Sequence, residues 1–315
     1  MKFLFISPRF SGGIGGHASM LAEQLQNIGH DVTKMETPHI PIKNLKNPSF
    51  AILGTLKGIM SKEKYDIVHA FNVPSAFAMH YTKGKKKVLS IHGMFSEQVD
   101  ALHSKTISSL ASRAESKSLT WADGLTTDSK TTQKIYKDKL GFNFEYLPSA
   151  IDSSKLDKIN DVKKNEKQIL YLGRNSYEKG IDILQKIESK LDGNVVYCTN
   201  LSWDNAMIEL KKSSLLVVPS RMESLPTNIK EAFYFKIPVI ATKVGGIPEL
   251  VKNNITGLLI PPNDTQNLIE SINSLLDDNK KINQFTSNAY EFIRNNMTWN
   301  TVLSKYINFY ENLLK

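Results

Sequence analysis

Short apolar runs separated by amphipathic stretches recur along the whole chain, and this rhythm restricts the fold more than any single motif. The runs are Phe3–Ile6, Asp31–Met35, Asp66–Ala70, Val88–Ile91 and a weaker Gly124–Thr127. After the polar, lysine-rich stretch Ser153–Lys167 they resume as Ile169–Leu172, Asn194–Cys198, Leu215–Val218, Val239–Ala241 and Leu258–Ile260. Helix-like segments lie between them: about His17–Ile28, Phe50–Met60, Glu97–Trp121, the stretch after Lys179, about Trp203–Lys211, and the stretch after Pro226. Such alternation predicts an α/β fold of largely parallel sheets covered on both faces, with ligands beyond the carboxyl ends of the strands. A chain of 315 residues exceeds what one core usually serves, and the alternation stops near Tyr146–Asp152 before it restarts. Two domains are therefore expected, 1–150 and 151–295. A tail, 296–315, follows them, with an apolar face of Trp299, Val302, Leu303, Tyr306, Ile307, Phe309 and Tyr310.

Composition removes several classes of function. No apolar run is long enough to span a bilayer, and the apolar start Phe3–Ser7 is too short for a signal sequence. A lone cysteine, Cys198, rules out an internal disulfide and a cysteine-rich metal site, which fits a reduced, cytoplasmic setting. Residues 1–150 carry 19 Lys and Arg against 12 Asp and Glu, a net of +7, while the remainder carries 21 against 19. A basic first domain suits an anionic partner: a phosphorylated substrate or an anionic membrane surface. Lys83, Lys85, Lys86 and Lys87, just before the Val88–Ile91 strand, are the cluster that would hold such a surface at the inner membrane face. The same lysines also serve as plain solvated charge. Nucleic acid is not expected, because no zinc-finger spacing, RNP-like aromatic motif or arginine-rich tail is present.

Candidate chemistry gathers where strands should end. Gly12-Gly13-Ile14-Gly15-Gly16 follows the first strand and opens a helix, where backbone N–H groups can approach an anion. Gly13 and Gly15 supply the first pair of a dinucleotide fingerprint with Glu36 as its acid, but Ala18 stands at the third glycine position. A tight structural turn and a phosphate or sugar contact are the other readings. His92-Gly93 follows the Val88–Ile91 strand, either as a ligand contact or as a satisfied loop histidine. His69 and His17 occupy similar positions. Gly173-Arg174 and Lys179-Gly180 flank one strand-to-helix loop and could clamp a diphosphate. Glu223 and Glu231 lie eight positions apart; Pro226 starts a helix between them, leaving Glu223 on a loop and Glu231 inside the helix. They either grip two parts of an elongated ligand or are solvated surface glutamates. Gly245-Gly246, before Ile247-Pro248-Glu249, is a second place for oxygen anions. Neither a GxxxxGK frame nor a zinc-ligand spacing such as HExxH occurs, so an ATPase site and a metal site are not expected.

In this order and spacing, GGIGGH, DIVHA, SIHG, GR with KG, PSRMESLPTNIKEA and GGIPELV resemble the retaining glycosyltransferases of family 4, nearly end to end. The E-x7-E element from Glu223 to Glu231 is the most specific part. The resemblance implies the GT-B fold: two Rossmann-like parallel-sheet domains facing across a cleft, acceptor on the first and nucleotide sugar on the second. It implies a tail helix returning to the first domain. It implies no metal and no cofactor beyond a UDP- or GDP-sugar donor. Carried over, Glu231 would hold the ribose hydroxyls and Glu223 the transferred sugar. Arg174 and Lys179 would neutralise the diphosphate with backbone near Gly15, Gly16 and Gly246, and His92 would touch the donor sugar. A lipid-linked or glycan acceptor is implied. The rivals are a nucleotide-sugar epimerase of the same fold and a silent nucleotide-sugar-binding protein. Two departures stand out. Ser149-Ala150 replaces the family's Asn-Gly before Ile151-Asp152, and only 38 residues lie between Gly180 and Pro219, compressing the region that helps hold the base.

Overall fold

The computed structural model describes residues 1–10, 12–37, 40, 42, 46–93 and 105–315, which fall into two compact units. One comprises Met1–Ser149 with Val302–Lys315, the other Ala150–Thr301. The expected helix from Glu97 lies outside the described residues until Lys105, as does Ser11 of the first glycine turn.

The first unit is a six-stranded parallel sheet of β1 (Lys2–Ser7), β2 (Asp31–Glu36), β3 (Tyr65–Ala70), β4 (Gly84–Ile91), β5 (Gly124–Thr127) and β6 (Glu145–Tyr146), in the order β2-β1-β3-β4-β5-β6. Helices α1 (Gly13–Asn27), α2 (Lys46–Met60), α3 (Val73–Tyr81), α4 (Lys105–Leu119) and α5 (Lys130–Leu140) connect them. The alternation did not reveal α3 or α5. Helix α3 buries Val73, Pro74, Ser75, Ala76, Ala78 and Met79 and so has no polar face to produce a period; Asn72 caps it through Ser75 N–H. In α5 only Thr132 and Tyr136 are buried, and its signals are local: a Ser129 cap at one end and Gly141, at φ 71°, at the other.

Three of the four lysines expected before a strand are the strand itself. β4 starts at Gly84 and pairs with Tyr65, so Lys85, Lys86 and Lys87 are its opening residues. Lysine is a poor strand former, which hid them. Their burial, partial here and complete from Val88 onward, shows the strand's amino end emerging from the sheet. Lys85 Nζ meets Asp66 Oδ1 at 2.8 Å, and Lys87 Nζ donates to the His80 carbonyl.

The second unit has the sheet order β11-β10-β9-β7-β8, again all parallel, from β7 (Gln168–Leu172), β8 (Asn194–Cys198), β9 (Leu215–Val218), β10 (Val239–Thr242) and β11 (Leu258–Ile260). Its helices are α6 (Ser153–Leu156), α7 (Ile181–Ile187), α8 (Trp203–Lys212), α9 (Thr227–Tyr234), α10 (Ile247–Leu250), α11 (Thr265–Leu276) and α12 (Asn279–Asn296). Period-two alternation splits the strands between two cores. Leu170, Leu216, Val218, Val239 and Ala241 face one, whereas Ile169, Tyr171, Leu215, Val217 and Ile240 face the other. Cys198 is buried in the first of these cores as a free thiol.

Helix α13 (Trp299–Leu314) groups with the first unit from Val302 onward. Tyr310 Oη lies 2.8 Å from His69 Nδ1, His69 Nε2 lies 2.6 Å from Ser90 Oγ, and Ser90 Oγ meets Thr126 Oγ1, a polar ladder across three buried strands. His69 is thus a core tie. Burial, then the charges of His17 and His92, hold its imidazole well below the ordinary histidine value. His30 and His80 shift the same way, each mainly by burial. The unfolded chain takes up these protons near pH 6.5, so stability is fully present above that pH and falls as pH drops toward the folded values. For the fully buried His69 the slope approaches about 1.4 kcal/mol per pH unit. Urea midpoints should therefore fall between neutral pH and about pH 5, and His69→Gln should flatten the fall. Equal midpoints across that range contradict this.

Among the described residues, no helix is long and apolar enough to cross a membrane.

Candidate active site

In the second sheet the chain turns outward in both directions from β7, to β8 on one side and β9 on the other. The crevice beyond the carboxyl ends at such a reversal is where open parallel sheets bind ligands. It places the loop after β7, residues 173–180, beside the loop after β9, residues 219–226.

Glycine and a buried phenol shape the first loop. Tyr171 Oη donates to the Arg174 carbonyl at 2.7 Å. Burial, then the negative charges of Glu223 and Glu178, push that phenol far above its ordinary value. Arg174 reaches outward: its side chain is 69% exposed and Nη2 meets Glu178 Oε1 at 3.0 Å. The chain then tightens into a 3-10 turn, Tyr177–Lys179, closed by Gly180 at φ 67°. A Cβ on Gly180 would lie 2.1 Å from the Pro219 carbonyl oxygen, so only glycine lets the two loops meet. Lys179 lands on the second loop, its Nζ on Glu223 Oε1, which also accepts from Ser220 Oγ at 3.2 Å.

Arg221 fastens the loops together. It holds Asp182 with two hydrogen bonds, 2.7 and 2.8 Å, and donates to the Tyr177 carbonyl and to Asn263 Oδ1. Its guanidinium also lies 4.2 Å from the Tyr177 ring centre. The sequence does not single out Arg221, although it stands two positions before Glu223, because its partner Asp182 is 39 residues away along the chain.

The Gly245-Gly246 turn closes on the same carboxylate loop. Gly245 has φ 50°, and a Cβ there would lie 1.7 Å from the Glu223 carbonyl oxygen. The amides of Gly245 and Gly246 donate to no group among the described residues, which leaves two donors beside Lys179 and Glu223. Ser176 Oγ, three residues before Lys179, and Asn228 Oδ1, in the first turn of α9, are buried without partners among the described residues. Unmet donors and acceptors next to a lysine are what an oxygen-rich ligand satisfies.

Helix α9 begins after Pro226, which carries an extended backbone, so Glu223 stays on the loop and Glu231 lies in the helix interior. Glu231 is 7% exposed. Burial pushes its carboxyl up, opposed by the Trp203 hydrogen bond and the charge of Lys230. Trp203 Nε1 donates to Glu231 Oε1 at 2.9 Å, and Oε2 has no hydrogen bond among the described residues. The sequence marks Trp203 only as a helix start.

In the first unit His92 directly follows β4, next to Gly93 at φ 90°. Its Nδ1 lies 3.1 Å from Asp128 Oδ2, both side chains almost fully buried, while Nε2 is buried without a partner among the described residues. A carboxylate on Nδ1 fixes the ring and leaves Nε2 to accept. Ser149 Oγ donates to Asp128 at 3.2 Å, so the serine at the expected asparagine position supports this pair. The glycine turn differs from expectation: Gly13 to Gly16 are the first turn of α1, capped by Gly12. Gly16 N–H donates to the Gly12 carbonyl, so the open amides there belong to residues 13–15. Gly15 is needed for packing, since a Cβ would lie 2.1 Å from the Arg9 carbonyl oxygen. His17 is buried in α1 with Nε2 3.1 Å from Tyr306 Oη. No group of three or more metal-ligating side chains occurs among the described residues.

Residues 11–155 match the family model described as Glycosyltransferase Family 4, and residues 186–292 the model described as Glycosyl transferases group 1. An uncharacterised glycosyltransferase of Methanocaldococcus jannaschii is 23% identical, over 96% of this chain and 95% of its own. Sucrose-phosphate synthase from Thermosynechococcus elongatus shares the fold with a TM-score of 0.83 at 16% identity, covering 99% of each chain. The Anabaena protein HepE, solved in complex with UDP-glucose, gives a TM-score of 0.74 at 18% identity, over 99% of this chain and 100% of its own.

Proposed function

This chain is a GT-B glycosyltransferase related to the family-4 and group-1 transferases, and from that premise we propose that it moves a hexosyl-type sugar from a UDP- or GDP-sugar to an acceptor hydroxyl with retention. The observation that carries the reading is the Lys179–Glu223 pair beside the open amides of Gly245 and Gly246. In this reading the diphosphate takes Lys179 and those amides, with Arg174 swinging in from solvent. Glu223 is released toward the transferred sugar, and Glu231 takes the ribose hydroxyls. The acceptor oxygen bonds the anomeric carbon as the carbon–phosphate oxygen bond breaks, and the leaving phosphate takes the acceptor proton. Stabilising charge on that leaving group is the main work left to the protein. His92, in the first unit, keeps Nε2 for a sugar hydroxyl to donate to. Purified protein with a panel of UDP-, GDP- and ADP-sugars tests this. Acceptor-stimulated release of nucleoside diphosphate with retained configuration is expected; isomerisation at C2, or binding without turnover, overturns it.

For the acceptor, a lipid-linked or glycan-precursor hydroxyl met at the anionic inner face of the membrane, from the cytoplasm, is the reading favoured by α2. Ile52, Leu56, Ile59 and Met60 fall on one face of that helix and are all exposed, with Lys57 and Lys62 beside them. Basic residues near such a surface each contribute about 1 kcal/mol. Sedimentation with anionic vesicles at low salt is expected, with loss at about 0.5 M salt and in Ile52→Ser/Ile59→Ser. Equal binding to neutral and anionic vesicles contradicts it.

A further inference from the structure

Trp203 is the largest apolar side chain at the carboxyl end of the second sheet, and it is 41% exposed. Its place on α8 explains why. Ala206, Met207 and Leu210 form the buried stripe of that helix, and Trp203 extends the same stripe by one turn past the end of the core. Leu201, just before it, is 47% exposed. The ring is nonetheless fixed, because its N–H is spent on Glu231 Oε1 at 2.9 Å. A held aromatic ring with an open face, hydrogen-bonded to a buried carboxylate that still has one oxygen unpaired, is a composite binding surface. The unpaired oxygen suits a vicinal diol, and the ring suits a flat π-system attached one bond from that diol. A nucleoside has this arrangement.

We propose that Trp203 is a specificity-determining and positioning residue for the donor: its indole face stacks the nucleobase while its N–H aims Glu231 at the ribose. This rests on the reading of Glu231 as the ribose contact, and deepens it by supplying a base contact from within the compressed segment 199–214. The two roles separate chemically. Phenylalanine keeps a stacking face and loses the donor; alanine loses both.

Calorimetry with UDP, GDP and ADP selects the preferred nucleoside diphosphate, which is then measured beside its 2′-deoxy form and inorganic pyrophosphate. Trp203→Ala should weaken the preferred ligand about tenfold or more. Pyrophosphate affinity should stay unchanged, because its contacts lie on the Lys179 and Gly245 loops. Trp203→Phe should restore most of the affinity yet narrow the ribose-over-deoxyribose preference. In turnover, KM for donor should rise in Trp203→Ala with kcat little altered. Unchanged nucleoside diphosphate affinity in Trp203→Ala overturns the proposal and leaves the transferase reading standing. A parallel loss of pyrophosphate affinity overturns it too, since that marks a general collapse of the site. If the wild-type protein binds no nucleoside diphosphate, the transferase reading itself fails.

Discussion

Replacing Lys179 with alanine should lower kcat at saturating donor by about 10²- to 10³-fold, the loss expected when one preorganised charge at a leaving group is removed. The lysine is positioned by features that leave it little freedom: a 3-10 turn, a left-handed Gly180, and an ion pair with a Glu223 whose side chain is 9% exposed. Arg174→Ala should cost much less. Its side chain is 69% exposed and its salt bridge to Glu178 is the kind of surface pair worth little. Removing Lys179 also strands the Glu223 charge, so Lys179→Ala/Glu223→Gln should recover thermal stability without recovering turnover. Steady-state kinetics and melting curves on the four proteins check this. An Arg174→Ala defect as deep as that of Lys179→Ala, or wild-type turnover in Lys179→Ala, would refute the division of labour.

Gly245→Ala should abolish donor binding while leaving a folded protein. The new methyl carbon would sit 1.7 Å from the Glu223 carbonyl oxygen, with a left-handed backbone besides. One of the two loops must therefore move, carrying Glu223 away from Lys179 or the open amides away from the ligand. The left-handed strain alone costs about 1–2 kcal/mol; misplacing ligand contacts by an ångström lowers the rate by about a further 10²-fold. Gly141→Ala is the matched control. It has φ 71° but nothing within 4 Å of its Cβ, so it bears the strain without the collision and should keep full activity. Equal activity in the two variants would show that the loop contact is irrelevant.

Much of the architecture is legible because a buried parallel strand needs a short apolar run, and the chain displays ten of these. What stayed hidden follows from physics that one sequence does not display. Helix α3 has no polar side, so it lacks a period. Lysines opened β4 because its amino end is wet, against their propensity. At the site, Glu223, Glu231 and Lys179 stand out by motif, but several of the contacts that fix the site join residues far apart in sequence. Trp203 reaches Glu231 across 28 positions and Arg221 reaches Asp182 across 39. His92 and Asp128 come together only because β4 and β5 are neighbours in the sheet. A glycine's reason is similarly invisible: Gly245 reads as a turn open to oxygen anions, and the structure also makes it a contact point against the Glu223 carbonyl.

The ladder from Thr126 through Ser90 and His69 ends on Tyr310, a partner 241 residues from His69 along the chain. Tyr310 also packs its ring against Phe3 at 5.0 Å between centroids, in the very first strand. During synthesis the first unit is therefore translated early yet finished late. Until residues 302–315 have left the ribosome, Phe3 and His69 lack the side chain that covers them, whereas the second unit needs nothing beyond Thr301. The last residues of the chain thus complete a core begun by its first strand, and until then the first 149 residues form a sheet with part of its apolar surface uncovered.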